Sequence, residues 1–231
     1  MTSTPLPDPK DKERFVRTMF DEISSRYDLV NRVMTFGLDQ RWRRKALRAS
    51  QLKDGEVLLD VATGTGDFLV LAKGITPYVV GVDLSFGMLE HSRSTQPLVQ
   101  GSALQLPFQD ESVDVITCGF ALRNFKEIPL VLSEFHRVLK TSGRVAVLEV
   151  STPSIRLVEV IHDAYFNKVV PELGALLSNA KAYRYLPASV AYLPPPEELI
   201  ELFKDARFSG VIRKELTFGV SQLILARKDR S

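Results

Sequence analysis

The sequence is poor in several things, and each shortage excludes a class. Its 231 residues contain one cysteine, Cys118, so a disulfide framework and a cysteine-rich metal centre are both excluded. No metal ligand set stands out, and no metal is expected. An excess of either charge is also lacking. With 30 Lys and Arg against 28 Asp and Glu the net charge is +2, so a nucleic-acid partner has no bulk support. No stretch approaches the ~18–20 apolar residues of a membrane-spanning helix. The first residues are polar and proline-containing, without the apolar core of a signal peptide. A cytoplasmic protein is expected, with a peripheral place at the inner face of a membrane as the finer version. Repeats and low-complexity segments are absent. What remains is the composition of an ordinary soluble globule, long enough to bury one full core.

The pattern along the chain is that of alternating strands and helices. Residues 1–10 carry three prolines and read as a loose tail. From Asp11 to Tyr27, Phe15, Met19, Ile23 and Tyr27 recur every four residues, one face of a helix. Arg41 to Ser50 reads as a second helix anchored by Trp42 and Leu47, so N-terminal helices span 11–50. Apolar strands then follow at 57–61, 78–83, 98–99, 113–118 and 144–150. The helices between them carry their own punctuation. Gly74 ends one, Ser85 can cap the next, and Pro129 sits in the first turn of a third, where its missing N–H matters least. Residues 151–206 interrupt the pattern as a helical insertion holding Pro194-Pro195-Pro196. Two last strands, 211–216 and 220–226, are separated by Thr217-Phe218-Gly219 alone. That is too short for a helical crossover and predicts an antiparallel hairpin. The fold class is therefore α/β, a single domain built on a doubly wound, Rossmann-like sheet of seven strands.

Such sheets bind ligands at the carboxyl ends of their strands. Val57-Leu58-Leu59-Asp60 runs into Ala62-Thr63-Gly64-Thr65-Gly66-Asp67, and the next strand ends in Asp83. A dinucleotide loop needs a third glycine, absent here, and would not place Asp67 beside a pyrophosphate. Asp83 is set to accept hydrogen bonds from ribose hydroxyls. A nucleoside without phosphates and with a positive charge fits better, and S-adenosylmethionine is that ligand. The closing hairpin, the usual ending of the class I methyltransferase variant of the fold, adds to this. Gly64, Thr65, Gly66, Asp67 and Asp83 are the first candidate cofactor residues. Ser102 and Ala103 follow, placed to read a base edge, and Gly119 lies beside the methyl donor. Leu104, Leu106 and Phe108 flank the base or belong to the core. A tight turn with no ligand remains the plainer reading of the glycines.

Four segments resemble the quinone-biosynthesis C-methyltransferases that make menaquinone and ubiquinone. They are Arg26-Tyr27-Asp28-Leu29-Val30-Asn31-Arg32-Val33-Met34-Thr35 with Trp42, then Gly119-Phe120-Ala121-Leu122-Arg123-Asn124-Phe125. The third is Arg137-Val138-Leu139-Lys140 with Gly143-Arg144 and Leu148-Glu149-Val150-Ser151, and the fourth Tyr183 to Val190. The resemblance runs from about residue 12 to the end. Three positions depart from the family pattern. Asp39 stands where His is frequent, Thr141-Ser142 replaces Pro-Gly, and Ser102 replaces Asn or Asp. Asp39 removes one candidate catalytic histidine.

The resemblance implies transfer of a methyl group from S-adenosylmethionine to a ring carbon of a polyprenylated quinol. The menaquinone branch is the closer likeness and the benzoquinol of ubiquinone synthesis the alternative. It implies Arg123, Asn124 and Tyr27 as catalytic residues. Family proposals have the arginine activate a water. A permanently protonated guanidinium is read here as a charge-assisted donor to a developing phenolate, with Asn124 and Tyr27 orienting the hydroxyl. His91 and His136 are read as surface or core residues, and His162 as a residue that could face the substrate. The basic cluster Arg41, Arg43, Arg44, Lys45 and Arg48 is either a solvated helix face or a contact for anionic headgroups. With Phe36, Tyr165, Phe166, Val169 and Val170 it would make a membrane-facing lip. A second copy of the chain is a further candidate partner. The cofactor loop alone also fits a methyltransferase for another phenol, sterol or headgroup, or a non-catalytic assembly subunit. Tyr27-Asp28 and Arg123-Asn124 speak against the former, and the intact glycine turn with Asp83 against the latter.

Overall fold

A computed structural model describes residues 7, 8, 10–153, 155, 156, 159, 160, 164, 165, 169, 170, 172 and 179–229. Among them one sheet of seven strands runs in the order β3-β2-β1-β4-β5-β7-β6. The strands are β1 Leu58–Val61, β2 Val79–Asp83, β3 Leu98–Gln100, β4 Val113–Gly119, β5 Leu139–Val150, β6 Phe208–Leu216 and β7 Ser221–Lys228. β7 alone is antiparallel to its neighbours, as the short 217–219 linker predicts. The turn is made by Thr217, Phe218 and Gly219, all at positive φ.

Alternate strand residues feed opposite layers because strand side chains alternate in direction. Leu59, Ile116 and Val147 pack with helices α5 (Ile128–Val138) and α7 (Pro196–Asp205). Leu58, Val115 and Ala146 pack with α2 (Leu38–Ala49) and α3 (Asp67–Ala72). A third cluster joins α1 (Lys12–Met34) to Met88 of α4 (Phe86–Glu90) and to Tyr185 and Leu186 of α6 (Ala180–Ser189). The expected caps are present: Ser85 Oγ accepts the Met88 N–H at 3.1 Å, and Pro129 lies in the first turn of α5.

Several boundaries differ from the sequence reading, β6 beginning three residues early at Phe208 among them. α1 continues seven residues past Tyr27, since no glycine or proline lies between Tyr27 and Gly37 and Val30 and Met34 extend the buried stripe. α2 starts three residues early, at Leu38. β5 starts at Leu139, which pairs with Val113, and ladder pairing then resumes only at Arg144. Gly143 makes the close approach between, since a Cβ there would sit 2.8 Å from the Lys140 carbonyl oxygen.

The N-terminal helices are tied to the glycine turn by charge. Asp67 opens α3 and is 7% exposed. Its Oδ1 accepts from Arg32 Nη2 at 2.8 Å and from Arg93 Nη2. Its Oδ2 accepts from Gln40 Nε2 at 3.0 Å and lies 3.3 Å from Arg43 Nε. Burial would raise the Asp67 pKa, but Arg43, Arg32 and Arg93 outweigh it and hold the carboxyl below its ordinary value. Thr65 Oγ1 donates to Asp28 of α1 at 2.6 Å, and Arg93 Nε pairs with the same carboxylate at 2.8 Å. Asp21 accepts the Ser85 hydroxyl at 2.6 Å and the Gly87 N–H at 2.9 Å, joining α1 to α4.

α7 belongs to the same core as the sheet, although it ends the 151–206 insertion. Phe203 is fully buried with its ring 5.8 Å from Phe208 at the start of β6. Phe203→Ala is expected to lower stability by about 3–5 kcal/mol within one cooperative urea transition. Two separate transitions would show that this segment folds apart from the sheet.

Candidate active site

The carboxyl ends of β1 to β4 meet where the turn 62–66 reverses the chain. Ala62, Gly64 and Gly66 adopt left-handed backbone, with φ of 55°, 57° and 85°. A Cβ added at Gly64 would meet nothing within 4 Å, so the turn presents bare backbone to the space before it. Asp60 lies behind the turn and accepts the Thr63 and Thr117 hydroxyls, each at 2.7 Å. Burial raises its pKa to about 7 against those two hydrogen bonds. Asp83, ending β2, accepts the Gly64 N–H at 2.7 Å and the Ser85 N–H at 2.9 Å. Burial raises its pKa to about 6, opposed by those backbone donors and reinforced by Asp21.

A cleft of about 90 Å³ opens in front of this edge. Gly64, Asp83, Ser102, Ala103 and Gly119 line it, all residues that the sequence singles out. Thr65, Gly66 and Asp67, also singled out in the sequence, do not line it. Thr65 is committed to Asp28 and Asp67 to its three arginines. Gly66 faces the chain after α4, where a Cβ would sit 2.8 Å from Ser92 Oγ. Leu104 reaches the cleft, Leu106 is in the core, and Phe108 packs on the core's edge. Open glycine backbone, a buried carboxylate at a strand end and apolar walls from Leu84, Met88 and Phe125 fit a nucleoside of positive charge. Val16 and Phe20 of α1 also line the cleft. The sequence reading left this role of α1 unseen, although the i, i+4 spacing was its signal.

A second cavity of about 370 Å³ adjoins the first. Its walls are mainly apolar, among them Met34, Phe36, Trp42, Tyr165, Val170 and Leu186. Tyr27 and Phe120 line both cavities and so form the boundary between them. Phe120 holds φ at 62°, unfavourable for a bulky residue and a mark of constrained geometry at a working site. Burial pushes the Tyr27 hydroxyl up in pKa, while the nearby charge of Arg43 and a hydrogen bond with Asn31 oppose it.

Arg123 and Asn124 sit in a short 3-10 turn, Leu122–Asn124, and face different spaces. Asn124 lines the cleft and Arg123 the apolar cavity. Arg123 Nη1 is ion-paired with fully buried Glu149 of β5 and donates to the Phe120 carbonyl at 2.8 Å. Its Nε donates to Ser189 Oγ at 3.1 Å. Asn124 Oδ1 accepts from the Tyr185 hydroxyl at 3.3 Å, a group that burial pushes up to about 12. α6 thus positions both residues of the Arg-Asn pair. The clasp with Glu149 was not foreseen, because 26 residues separate partners that only sheet pairing brings together.

Neither His91 nor His136 lines either cavity: His91 is exposed beside the Gly87 carbonyl, and His136 packs edge-on to Phe208. His162 and Phe166 lie outside the described residues. The basic cluster of α2 divides. Arg41, Arg44, Lys45 and Arg48 are exposed, whereas Arg43 is 7% exposed and lines the apolar cavity. Charge counting grouped Arg43 with its neighbours. The helical period, with Trp42, Ala46 and Leu47 inward, placed it on the buried face.

Comparison with known proteins bears on the family and the fold. The profile of the ubiE/COQ5 methyltransferase family matches residues 8–228. A demethylmenaquinone methyltransferase of Deinococcus radiodurans is 40% identical over 97% of both chains. One from Thermus thermophilus is 42% identical over 89% of this chain and 97% of its own. A ubiquinone/menaquinone biosynthesis C-methyltransferase of Geobacter sulfurreducens is 39% identical over 94% of this chain and 90% of its own. Among solved structures, a SAM-dependent methyltransferase of Thermotoga maritima shares the fold at a TM-score of 0.61 and 21% identity, covering 92% and 99% of the two chains. A methyltransferase solved with the Haloferax volcanii activator Trm112 gives a TM-score of 0.65 at 18% identity, covering 91% and 98%. The chain is an S-adenosylmethionine-dependent methyltransferase and belongs to the ubiE/COQ5 family.

Proposed function

We propose that the chain methylates a ring carbon of a polyprenylated quinol, with demethylmenaquinol as the substrate and menaquinol as the product. One observation carries the reading: a polar-edged nucleoside cleft and a larger apolar cavity meet at a shared wall, Tyr27 and Phe120. The names of the relatives, demethylmenaquinone methyltransferase above all, support the naphthoquinol over the benzoquinol.

When bound, S-adenosylmethionine supplies an electrophilic methyl group, which the quinol ring carbon accepts in exchange for a proton. Gly64, Asp83, Ser102, Ala103 and Gly119 would hold it. Thr65, Gly66 and Asp67 act indirectly, by keeping the turn in place. Tyr27 and Asn124 orient the substrate hydroxyl at the boundary. Arg123 adds positive charge to the acceptor side while its clasp with Glu149 shapes the wall. Holding donor and acceptor in line can remove ~7–11 kcal/mol of barrier. The whole chain works as a single domain, with α1, α2 and α6 laid beside the strand ends.

The cavity's mouth supports contact with a membrane surface from the cytoplasmic side. Phe36 is 79% exposed with its ring 5.8 Å from Tyr165, and Leu29 and Val33 are exposed on α1. Exposed Arg41, Arg44, Lys45 and Arg48 on α2 add positive charge. Among the described residues no helix is long and apolar enough to cross a membrane.

Labelled methyl transfer to each demethylated quinol, carried in vesicles, tests this reading. Mass spectrometry is expected to find the label on a ring carbon of the naphthoquinol, with turnover faster on anionic than on neutral vesicles. That difference should shrink as salt rises. Label on oxygen, or preference for the benzoquinol, would contradict the substrate assignment. Equal rates on both vesicle types would contradict the membrane contact.

Asp83 makes donor binding pH-dependent. Only its carboxylate accepts hydrogen bonds from two hydroxyls, and in the free protein it titrates near about 6. Affinity is therefore full above that pH and falls as pH drops through it, by up to about tenfold per unit. Calorimetric titration with S-adenosylhomocysteine should show weakening of about tenfold from about pH 7 to pH 5. Asp83→Asn should bind weakly at both and lose the dependence, which separates Asp83 from neighbouring Asp60. A flat wild-type profile would rule out this role.

A further inference from the structure

Arg43 is a buried cation with unused donors. Its Nη1 and Nε have no hydrogen-bond partner among the described residues, although Nε stands 3.3 Å from Asp67 Oδ2. The guanidinium carbon lies 5.2 Å from the Phe120 ring centre and 5.6 Å from that of Phe68. Its Nη2 comes within 3.9 Å of where a side chain on Gly119 would begin, so the group sits at the boundary of the two cavities. Other charged and titratable groups face it. Asp67 on α3 is shared with Arg32 and Arg93, and Asp60 on β1 is bonded by two threonines. Tyr27 on α1 feels its charge, and Arg123 lines the same cavity. None of them satisfies Nη1. Leaving such a donor unpaired away from water costs about 1–3 kcal/mol, more for a charged group. The Arg43 side chain lines the apolar cavity, where an anionic oxygen would meet its charge.

We propose that Arg43 is a catalytic residue that donates a charge-assisted hydrogen bond to the aromatic oxygen of the acceptor and holds it as a phenolate. The inference rests on the quinol reading. The hydroxyl proton passes to water and the oxygen's charge stays against the guanidinium. The oxygen's electron density is then available at the ring carbon, which gains methyl and loses its hydrogen as a proton. Arg123, with Nη1 and Nε already engaged, is the less available donor.

Two variants and one probe test this. Arg43→Gln is expected to lower kcat at neutral pH by about 10²-fold, as loss of one oxyanion donor does, with KM changed less than about threefold. The deficit should shrink toward high pH, where the quinol ionises without help, and Arg43→Lys should recover part of the rate. Melting temperature and S-adenosylhomocysteine affinity report whether the variants fold. The wild-type protein is also titrated with 4-nitro-1-naphthol, whose phenolate absorbs visibly. Binding should lower the probe's apparent pKa by about one unit or more, and Arg43→Gln should abolish the shift. No quinol turnover by the wild-type chain would overturn the parent reading and this one together. Turnover with Arg43→Gln unimpaired, a loss equal at every pH, or no probe shift on the wild type would overturn the role of Arg43 alone.

Discussion

Three arginines from different parts of the chain converge on the carboxylate of Asp67: Arg32 from α1, Arg43 from α2 and Arg93 after α4. Sharing one carboxylate is tolerable because Asp39 pairs with Arg32 and Asp28 with Arg93 in turn. A buried carboxylate with its partners removed is strongly destabilising, by about 3–5 kcal/mol. The cluster therefore fixes where α1 and α2 lie relative to the glycine turn. Those two helices contribute Tyr27, Trp42, Arg43 and the apolar walls around Met34 and Phe36. The apolar cavity takes its shape because a buried acid of the glycine turn, Asp67, holds these two helices.

Its consequence is division of labour between two sets of side chains. Strand ends and the turn make a generic nucleoside cleft, and the sheet needs nothing beyond apolar alternation and glycine to build it. The reaction's identity resides in elements laid over that edge. Tyr27 and Phe120 stand between the two cavities, and α6 holds Asn124 through Tyr185 and Arg123 through Ser189. Replacing these overlying pieces would reshape the apolar cavity while leaving the cleft at Asp83 and Gly64 as it is. Methyltransferases under 25% identical to this chain share the fold.

Most of the fold was legible because local signals and the global pattern agree. The Ser85 cap, Pro129, the short 217–219 linker and the strand-ending Asp83 each act within a few residues of themselves. What stayed hidden depends on long-range pairing. Glu149 reaches Arg123 only across β4 and β5, and Thr65 and Asp67 turn from the cleft only because α1 and Arg93 are there to meet them. Arg43 was the instructive failure. Its charge placed it with the exposed basic residues, while the same helical period that marks Trp42 and Leu47 as inward includes it. A charged residue on an apolar stripe deserves to be read by its position before its charge.

The account makes the Asp67 cluster the link between donor turn and acceptor walls. Hydrogen exchange on Asp67→Asn measures that link directly. Exchange in α1 and α2 should quicken by about 10²-fold while β1, β4 and β5 stay protected. Unchanged protection in the two helices, or equal loss throughout the sheet, would contradict it.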